Sequence, residues 1–153
     1  MFNNLFVIAP EYYSFVKDQT EAISHYFQNV QVFVRYNPLA EISAILPIKG
    51  LDTFRLNRRV SLVDLPDNVH ITPTPLYYFP IDYNYKLLGK AHYRKIGRSI
   101  RKTDLKESIV HAHHIWTAGY AGARLKEDYG TPFVVTGHGY DVYSLPFKDD
   151  EWR

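Results

Sequence analysis

Short apolar runs alternate with amphipathic stretches along this chain. Leu5-Phe6-Val7-Ile8-Ala9 is unbroken by polar residues and predicts a buried strand that ends at Pro10. From Ser14 to Gln28 the pattern becomes helical: Phe15, Val16, Gln19, Ile23 and Phe27 recur at three- and four-residue steps, with Lys17, Asp18 and Glu21 elsewhere on the wheel. Ser14 is the expected N-cap. Val30 to Val34 is β-branched and aromatic and predicts a second strand. Pro38, Pro47 and Gly50 punctuate residues 36–68, where a short helix is expected near 51–60. Val69-His70-Ile71-Thr72 predicts a third strand closed by Pro73 and Pro75, followed by a helix over about 83–102. Ser108 to Ala112 predicts a fourth strand. A helix is expected from Thr117 to Tyr129, with Gly130 at the position after its end. Phe133 to Thr136 predicts a fifth strand, followed at once by Gly137-His138-Gly139.

The strands read as continuous rather than alternating, which implies burial on both faces, as in a parallel sheet. Strands joined by helices imply right-handed crossovers. The expected fold is therefore α/β, a Rossmann-like doubly wound parallel sheet. Sites in such sheets lie beyond the carboxyl ends of the strands.

Composition narrows the chemistry. At 153 residues the chain is one domain long and hides roughly two-thirds of its unfolded surface on folding. It has no Cys, which excludes disulfides, thiolate metal sites and thiol nucleophiles. Lys plus Arg is 18 against 16 Asp plus Glu, a net charge of +2 that gives no argument for nucleic acid. The N-terminus lacks the positive start of a signal peptide. No apolar run approaches the ~18 residues of a membrane span. A soluble, cytoplasmic domain is the expectation.

Candidate chemistry is sought at the strand ends. After the first strand stands Pro10-Glu11-Tyr12-Tyr13-Ser14, with no Gly, so a dinucleotide fingerprint is not supported. Lys17 and Gln19, early in the next helix, either face a polar substrate or are simply solvated. The fourth strand ends in His111-Ala112-His113-His114. Period two puts His111 and His113 on one face and His114 on the other. A strand does not converge neighbouring residues on a metal, and no nearby acid completes a ligand set, so no metal is expected. His111 reads as structural; His113 and His114 read as structural or substrate-contacting. The strongest local signal is Thr136-Gly137-His138-Gly139-Tyr140-Asp141. Two glycines flank a histidine whose imidazole can hydrogen-bond sugar hydroxyls or share charge with a phosphate. Asp141 orients or caps that turn. A glycine turn with an incidental histidine is the plain alternative. No G-x-S-x-G elbow occurs, and the paired carboxylates Asp149-Asp150-Glu151 read as a solvated tail.

Between Tyr83 and Thr103 there is no acid, whereas Lys86, Lys90, Arg94, Lys95, Arg98, Arg101 and Lys102 are basic. Tyr85, Leu88, His92, Tyr93, Ile96 and Ile100 fill one arc of this helix and the bases the opposite one. The basic face is either solvated, docked on anionic lipid headgroups through Lys86, Lys90, Arg94, Arg98 and Arg101, or, without a supporting motif, bound to nucleic acid. Gly89 and Gly97 weaken the helix by roughly 1 kcal/mol each, so it depends on packing.

Taken together, Ser108-Ile-Val-His-Ala-His-His114, the helix ending Lys126-Glu-Asp-Tyr-Gly130, and Thr131-Pro-Phe-Val-Val-Thr-Gly-His138-Gly-Tyr-Asp141 resemble the N-terminal domain of family-4 glycosyltransferases (group 1). The first strand and the helix from Phe15 to Ile23 are similar too.

The resemblance implies the N-terminal half of a GT-B architecture: an acceptor-side domain facing a donor-side domain across a cleft. It implies retaining transfer from a nucleotide sugar, used as co-substrate, to a saccharide or lipid-linked acceptor. No cofactor and no metal are required. By position, His138 corresponds to the cleft histidine that meets the donor sugar or its phosphate. Gly137 and Gly139 let backbone approach, Asp141 supports the loop, and His113 and His114 line the cleft floor. Similar enzymes often work at membranes, which fits a peripheral place at the inner membrane face. The family's paired donor-site glutamates belong to a second half expected beyond Arg153. The 153-residue chain is therefore expected to be part of an enzyme and inactive alone. The alternative is a non-catalytic α/β domain whose basic helix holds anionic lipid or a protein partner.

Overall fold

The computed structural model describes residues 2–45, 50–79, 81–100, 105, 107–148 and 150. Five strands form one sheet: β1 (Asn4–Ala9), β2 (Asn29–Tyr36), β3 (Val69–Pro75), β4 (Ser108–His113) and β5 (Phe133–Thr136). Their order is β3-β2-β1-β4-β5, and every pairing is parallel. The connecting helices are α1 (Ser14–Ser24), α2 (Leu56–Arg59), α3 (Asp82–Ile100) and α4 (Tyr120–Tyr129), with α5 (Gly139–Tyr143) after β5. This is the expected α/β, Rossmann-like arrangement.

The unbroken apolar strands are explained by a core on each side of the sheet. Leu5, Val7 and Ala9 join Val30, Val32 and Val34 under Tyr12 and Val16 at the α1 side. Phe6 and Ile8 join Phe33, Val110 and Ala112 against Ile96 and Ile100 of α3 and Ala121 and Leu125 of α4. Successive side chains of β1 therefore alternate between two apolar layers, as pleating requires.

Several element boundaries differ from the pattern. α1 stops at Ser24 rather than Gln28. Tyr26 and Phe27 donate to Ile23 and Ser24, tightening the last turn so that the chain can enter β2. Ser14 does not cap α1: Tyr13 occupies the N-cap, without a side-chain cap bond, and Ser14 is already helical. The short helix expected near 51–60 is a 3-10 turn at Asp52–Phe54 followed by α2. Thr117 to Gly119 belong to a π-turn over Ile115–Gly119, and α4 proper begins at Tyr120. Gly130 takes the left-handed conformation at φ 71° and donates to Lys126 O, as expected.

β3 runs through Pro73 and Pro75 instead of ending at Thr72. It is an edge strand, and Leu76 N–H points inward to Tyr36 O. Alternation then turns the nitrogens of Pro73 and Pro75 outward, where no ladder donor is needed.

α3 buries Leu88, His92, Ile96 and Ile100, the arc expected from the wheel. Gly89 has a packing role there. A Cβ on it would lie 2.7 Å from the Trp116 indole, so glycine lets the π-turn pack onto the helix.

Candidate functional site

Strand order reverses between β1 and β4, the switch point where the following loops diverge. Residues from three carboxyl strand ends meet there: Phe15 after β1, His113 and His114 at the end of β4, and His138 after β5. The Phe15 ring lies 4.5 Å from that of His138 and 6.3 Å from that of His113. His114 and His138 lie 4.2 Å apart, and His113 stacks on His138 at 5.7 Å.

His138 sits at the carboxyl rim, half-buried between exposed Gly137 and Gly139. It occupies the N-cap of α5, and its backbone N–H donates to Asp141 Oδ1 at 2.7 Å. Asp141 is 4% exposed, and its Oδ2 accepts from the Ile115 N–H. The same oxygen lies 3.7 Å from His114 Nδ1. One carboxylate thus clamps the loops after β4 and β5 together. The two glycines have different duties. A Cβ on Gly137 would meet Val142 Cγ2 at 2.7 Å, whereas at Gly139 nothing lies within 4 Å.

The histidines form a graded cluster. His111 shares a hydrogen bond with Thr136 Oγ1 at 2.8 Å, joining β4 to β5. His113 is fully buried, and neither of its ring nitrogens has a protein partner. Burial, then the neighbouring His111, His138 and His114, lower its pKa to about 3. Burial also lowers His111, helped by His138. His114 is lowered by burial and by His138, against the opposing pull of Asp141. These rings resist protonation and stay neutral. His138 Nε2 is buried without a protein partner. Among the described residues, no group of three or more His, Cys, Asp or Glu is arranged to hold a metal.

Backbone strain borders the same place. Ser14 (φ 49°) precedes Phe15, and His114 has φ 75°. Non-glycine residues at positive φ cost of order 1–3 kcal/mol and cluster at functional sites.

Lys17 and Gln19 do not join the cluster. Lys17 is ion-paired to Glu21 at 2.9 Å, and Glu21 also accepts from the Tyr12 hydroxyl at 3.1 Å. Gln19 is exposed one turn beyond Phe15. The glycine-free loop after β1 is fixed by a parallel bridge between Tyr12 and Val60 and by an ion pair between Glu11 and Arg59 at 2.8 Å.

On α3, Lys90, Arg94 and Arg98 are exposed and Lys86 is half-buried; Arg101 lies outside the described residues. Tyr83, Leu87, Lys90, Arg94 and Arg98 share one exposed stripe within an arc of about 80°. Its first two members are apolar, 70% and 56% exposed. They adjoin Tyr77, Phe79 and Ile81, at 68%, 68% and 57%. Among the described residues, no helix is long and apolar enough to cross a membrane.

The pattern missed Phe15. Its helical spacing assigns it to the core, yet it is 46% exposed and forms a wall of the histidine cluster. Its place in the first turn after a strand, at the rim, was the available signal. Arg35, late in β2, was also missed, because a lone base in an apolar strand carries no motif.

No curated protein matches the chain. The family model described as Glycosyltransferase Family 4 matches residues 50–153, which include β3 to β5 with His113, His114, His138 and Asp141. The parallel α/β sheet agrees with this match, and the chain belongs to glycosyltransferase family 4.

Proposed function

We propose that this domain is the acceptor-side, N-terminal half of a GT-B enzyme that transfers a sugar, with retention, from a nucleotide sugar to a saccharide or lipid-linked acceptor. The observation that carries this reading is the setting of His138. Its backbone is fixed by Asp141, its ring is packed among Phe15, His113 and His114, and its Nε2 has no protein partner.

In the reaction, the bond from the anomeric carbon to the donor diphosphate breaks, a bond to the acceptor hydroxyl oxygen forms on the same face, and the hydroxyl proton passes to the departing diphosphate. Negative charge develops on the departing diphosphate. An imidazole held at the rim of the sheet, among rings that stay neutral, stabilises that charge or binds a sugar hydroxyl once its buried Nε2 is opened to the substrate. Gly139 leaves the backbone beside it open to a ligand. The donor itself is held by a second α/β half, and neither metal nor cofactor takes part.

The test uses the full-length protein and a panel of nucleotide sugars, with sugar transfer or donor hydrolysis as readout. His138→Ala is expected to lower kcat by about 100-fold or more, the cost of losing a transition-state donor, with little change in the unfolding midpoint. Wild-type kcat in the variant rejects this role for His138.

A second reading concerns location. The exposed aromatic and aliphatic side chains at the start of α3 run directly into Lys90, Arg94 and Arg98. Apolar groups beside bases suit peripheral docking on an anionic membrane surface, on the cytoplasmic side if the acceptor is lipid-linked. Vesicle binding that depends on these side chains is its test.

A further inference from the structure

Arg35 is the penultimate residue of β2, level with Thr74 of β3 at the carboxyl end of the sheet. Alternation along β2 turns it, like Phe33, toward the layer of α3 and α4. There its guanidinium lies over the Tyr85 ring, 5.6 Å from the centroid. Its Nη1 is buried and has no hydrogen-bond partner, and among the described residues no carboxylate pairs with it.

A guanidinium stays charged in a protein. Leaving one of its buried N–H groups unmatched is costly, and the usual remedy is a carboxylate or phosphate. A second unmatched group stands nearby. His92 of α3 is fully buried and its Nε2 has no partner, while Nδ1 meets Thr117 Oγ1 at 3.1 Å. With Thr117 donating to Nδ1, Nε2 carries the proton and becomes a donor. The charge of Arg35 also contributes to the lowered pKa values of His92 and His114 and opposes the burial that raises Tyr78. β2 pairs with β1, and the loop after β1 brings Phe15 to His138, so Arg35 stands at the same carboxyl edge as the candidate transfer site.

We infer that Arg35, with His92 behind it and Tyr85 as an aromatic wall, forms an anion subsite that takes a phosphate or carboxylate group of the acceptor. The attribution to the acceptor rests on the glycosyl-transfer reading; the anion subsite itself does not, because it is read by binding alone. The chemistry favours an oxyanion that presents two oxygens to two parallel N–H bonds, as carboxylates and phosphates do; an arginine fork supplies these and a lysine does not.

The experiment follows thermal unfolding of the full-length protein titrated, at constant ionic strength against chloride, with inorganic phosphate in one arm and acetate in the other. Arg35→Met, Arg35→Lys and a surface control, Lys126→Gln, are compared with the wild type. A saturable rise in Tm is expected with at least one anion, as for any ligand of the native state. The arm that responds at the lower concentration identifies the group as phosphoryl or carboxyl. Arg35→Met is expected to weaken the response at least tenfold and, with no anion present, to melt at or above the wild-type Tm, because an unmatched cation has been removed. Arg35→Lys, which keeps charge but not the fork, should retain part of the response. If Arg35→Met does not fold, loss of half or more of the response in Arg35→Lys supports the subsite, and an undiminished one overturns it.

No response in the wild type overturns the inference. So does an equal response in Arg35→Met, or one abolished by Lys126→Gln instead. None of these outcomes touches the His138 test, and inactivity of His138→Ala leaves the binding result intact.

Discussion

Asp141 holds the backbone of His138: Oδ1 accepts the His138 N–H at 2.7 Å while Oδ2 accepts the N–H of Ile115, on the loop after β4. The carboxylate is nearly buried, so both donors depend on it rather than on water. In Asp141→Asn one of the two N–H groups faces an amide NH2. The expected loss is about 1–3 kcal/mol of stability, the cost of an unsatisfied buried donor. Urea unfolding measures it. Transfer is expected to fall further than stability alone explains, because the loop that aims His138 is released. A variant with wild-type stability and wild-type transfer removes the clamp from the mechanism.

Gly137 and Gly139 separate packing from ligand approach. Gly137→Ala pushes a methyl against Val142, and the loop must shift, so the expected loss is about 1–3 kcal/mol. Gly139→Ala meets nothing in the protein and sits in the first turn of α5, where alanine should raise stability by up to about 1 kcal/mol. If backbone at Gly139 approaches a sugar or a phosphate, that same stable variant loses transfer. Calorimetry beside an activity assay distinguishes the two. Full activity in Gly139→Ala means that no ligand comes close there.

The inner strands were legible because β1 and β4 are buried on both faces, so apolar runs such as Leu5–Ala9 mark them. The edge strands β3 and β5 depart from the expected two-sided burial, with Val134 and Val135 exposed, because no strand covers their outer side. The site was legible in part. Gly137-His138-Gly139 and the β4 histidines follow strands directly, and in a parallel sheet strand ends converge. Phe15 was hidden because the spacing of a helix does not say which of its turns reaches the rim. Arg35 was hidden because a charge inside a strand declares itself only through what surrounds it. Lys17 stands four residues before Glu21 on one helix, a spacing that the sequence itself carries, and the two pair instead of facing a substrate.

The buried histidines set a direction for pH dependence. Burial, then the charge of Arg35, lowers His92 from 6.5 to about 3. Its native pKa lies below its unfolded value, so the unfolded chain binds more protons whenever pH falls below 6.5. Stability is therefore full above that pH and declines as pH drops toward 3. For His92 alone the loss between pH 8 and pH 5 is about 2 kcal/mol. His113, lowered to about 3, and His111 and His114, also lowered, act in the same direction. Ordinary carboxylates titrate mostly below pH 5 and contribute little to that interval. Urea midpoints at pH 8 and pH 5 should differ accordingly, and His92→Phe should flatten the dependence. Equal midpoints at both pH values contradict the burial of these rings.

Docking of the α3 stripe on an anionic membrane, as proposed above, is testable by substitution. Tyr83 and Leu87 lead into Lys90, Arg94 and Arg98 on one exposed line, so an anionic surface is offered apolar insertion at one end and charge at the other. Each base near such a surface is worth about 1 kcal/mol. Changing Lys90, Arg94 and Arg98 to Glu removes three attractions and adds repulsion, so vesicle partitioning should drop by roughly a hundredfold or more. Phe79→Ser with Leu87→Ser should weaken it through lost burial, and this loss should persist at high salt, where the charge contribution fades. The measurement is co-sedimentation of the full-length protein with vesicles of neutral lipid alone or mixed with phosphatidylserine. Salt-sensitive binding only to the anionic vesicles, abolished by the triple reversal, matches the stripe. Binding that ignores both sets of substitutions assigns the contact to another surface, and no binding to either vesicle leaves the bases as a solvated face.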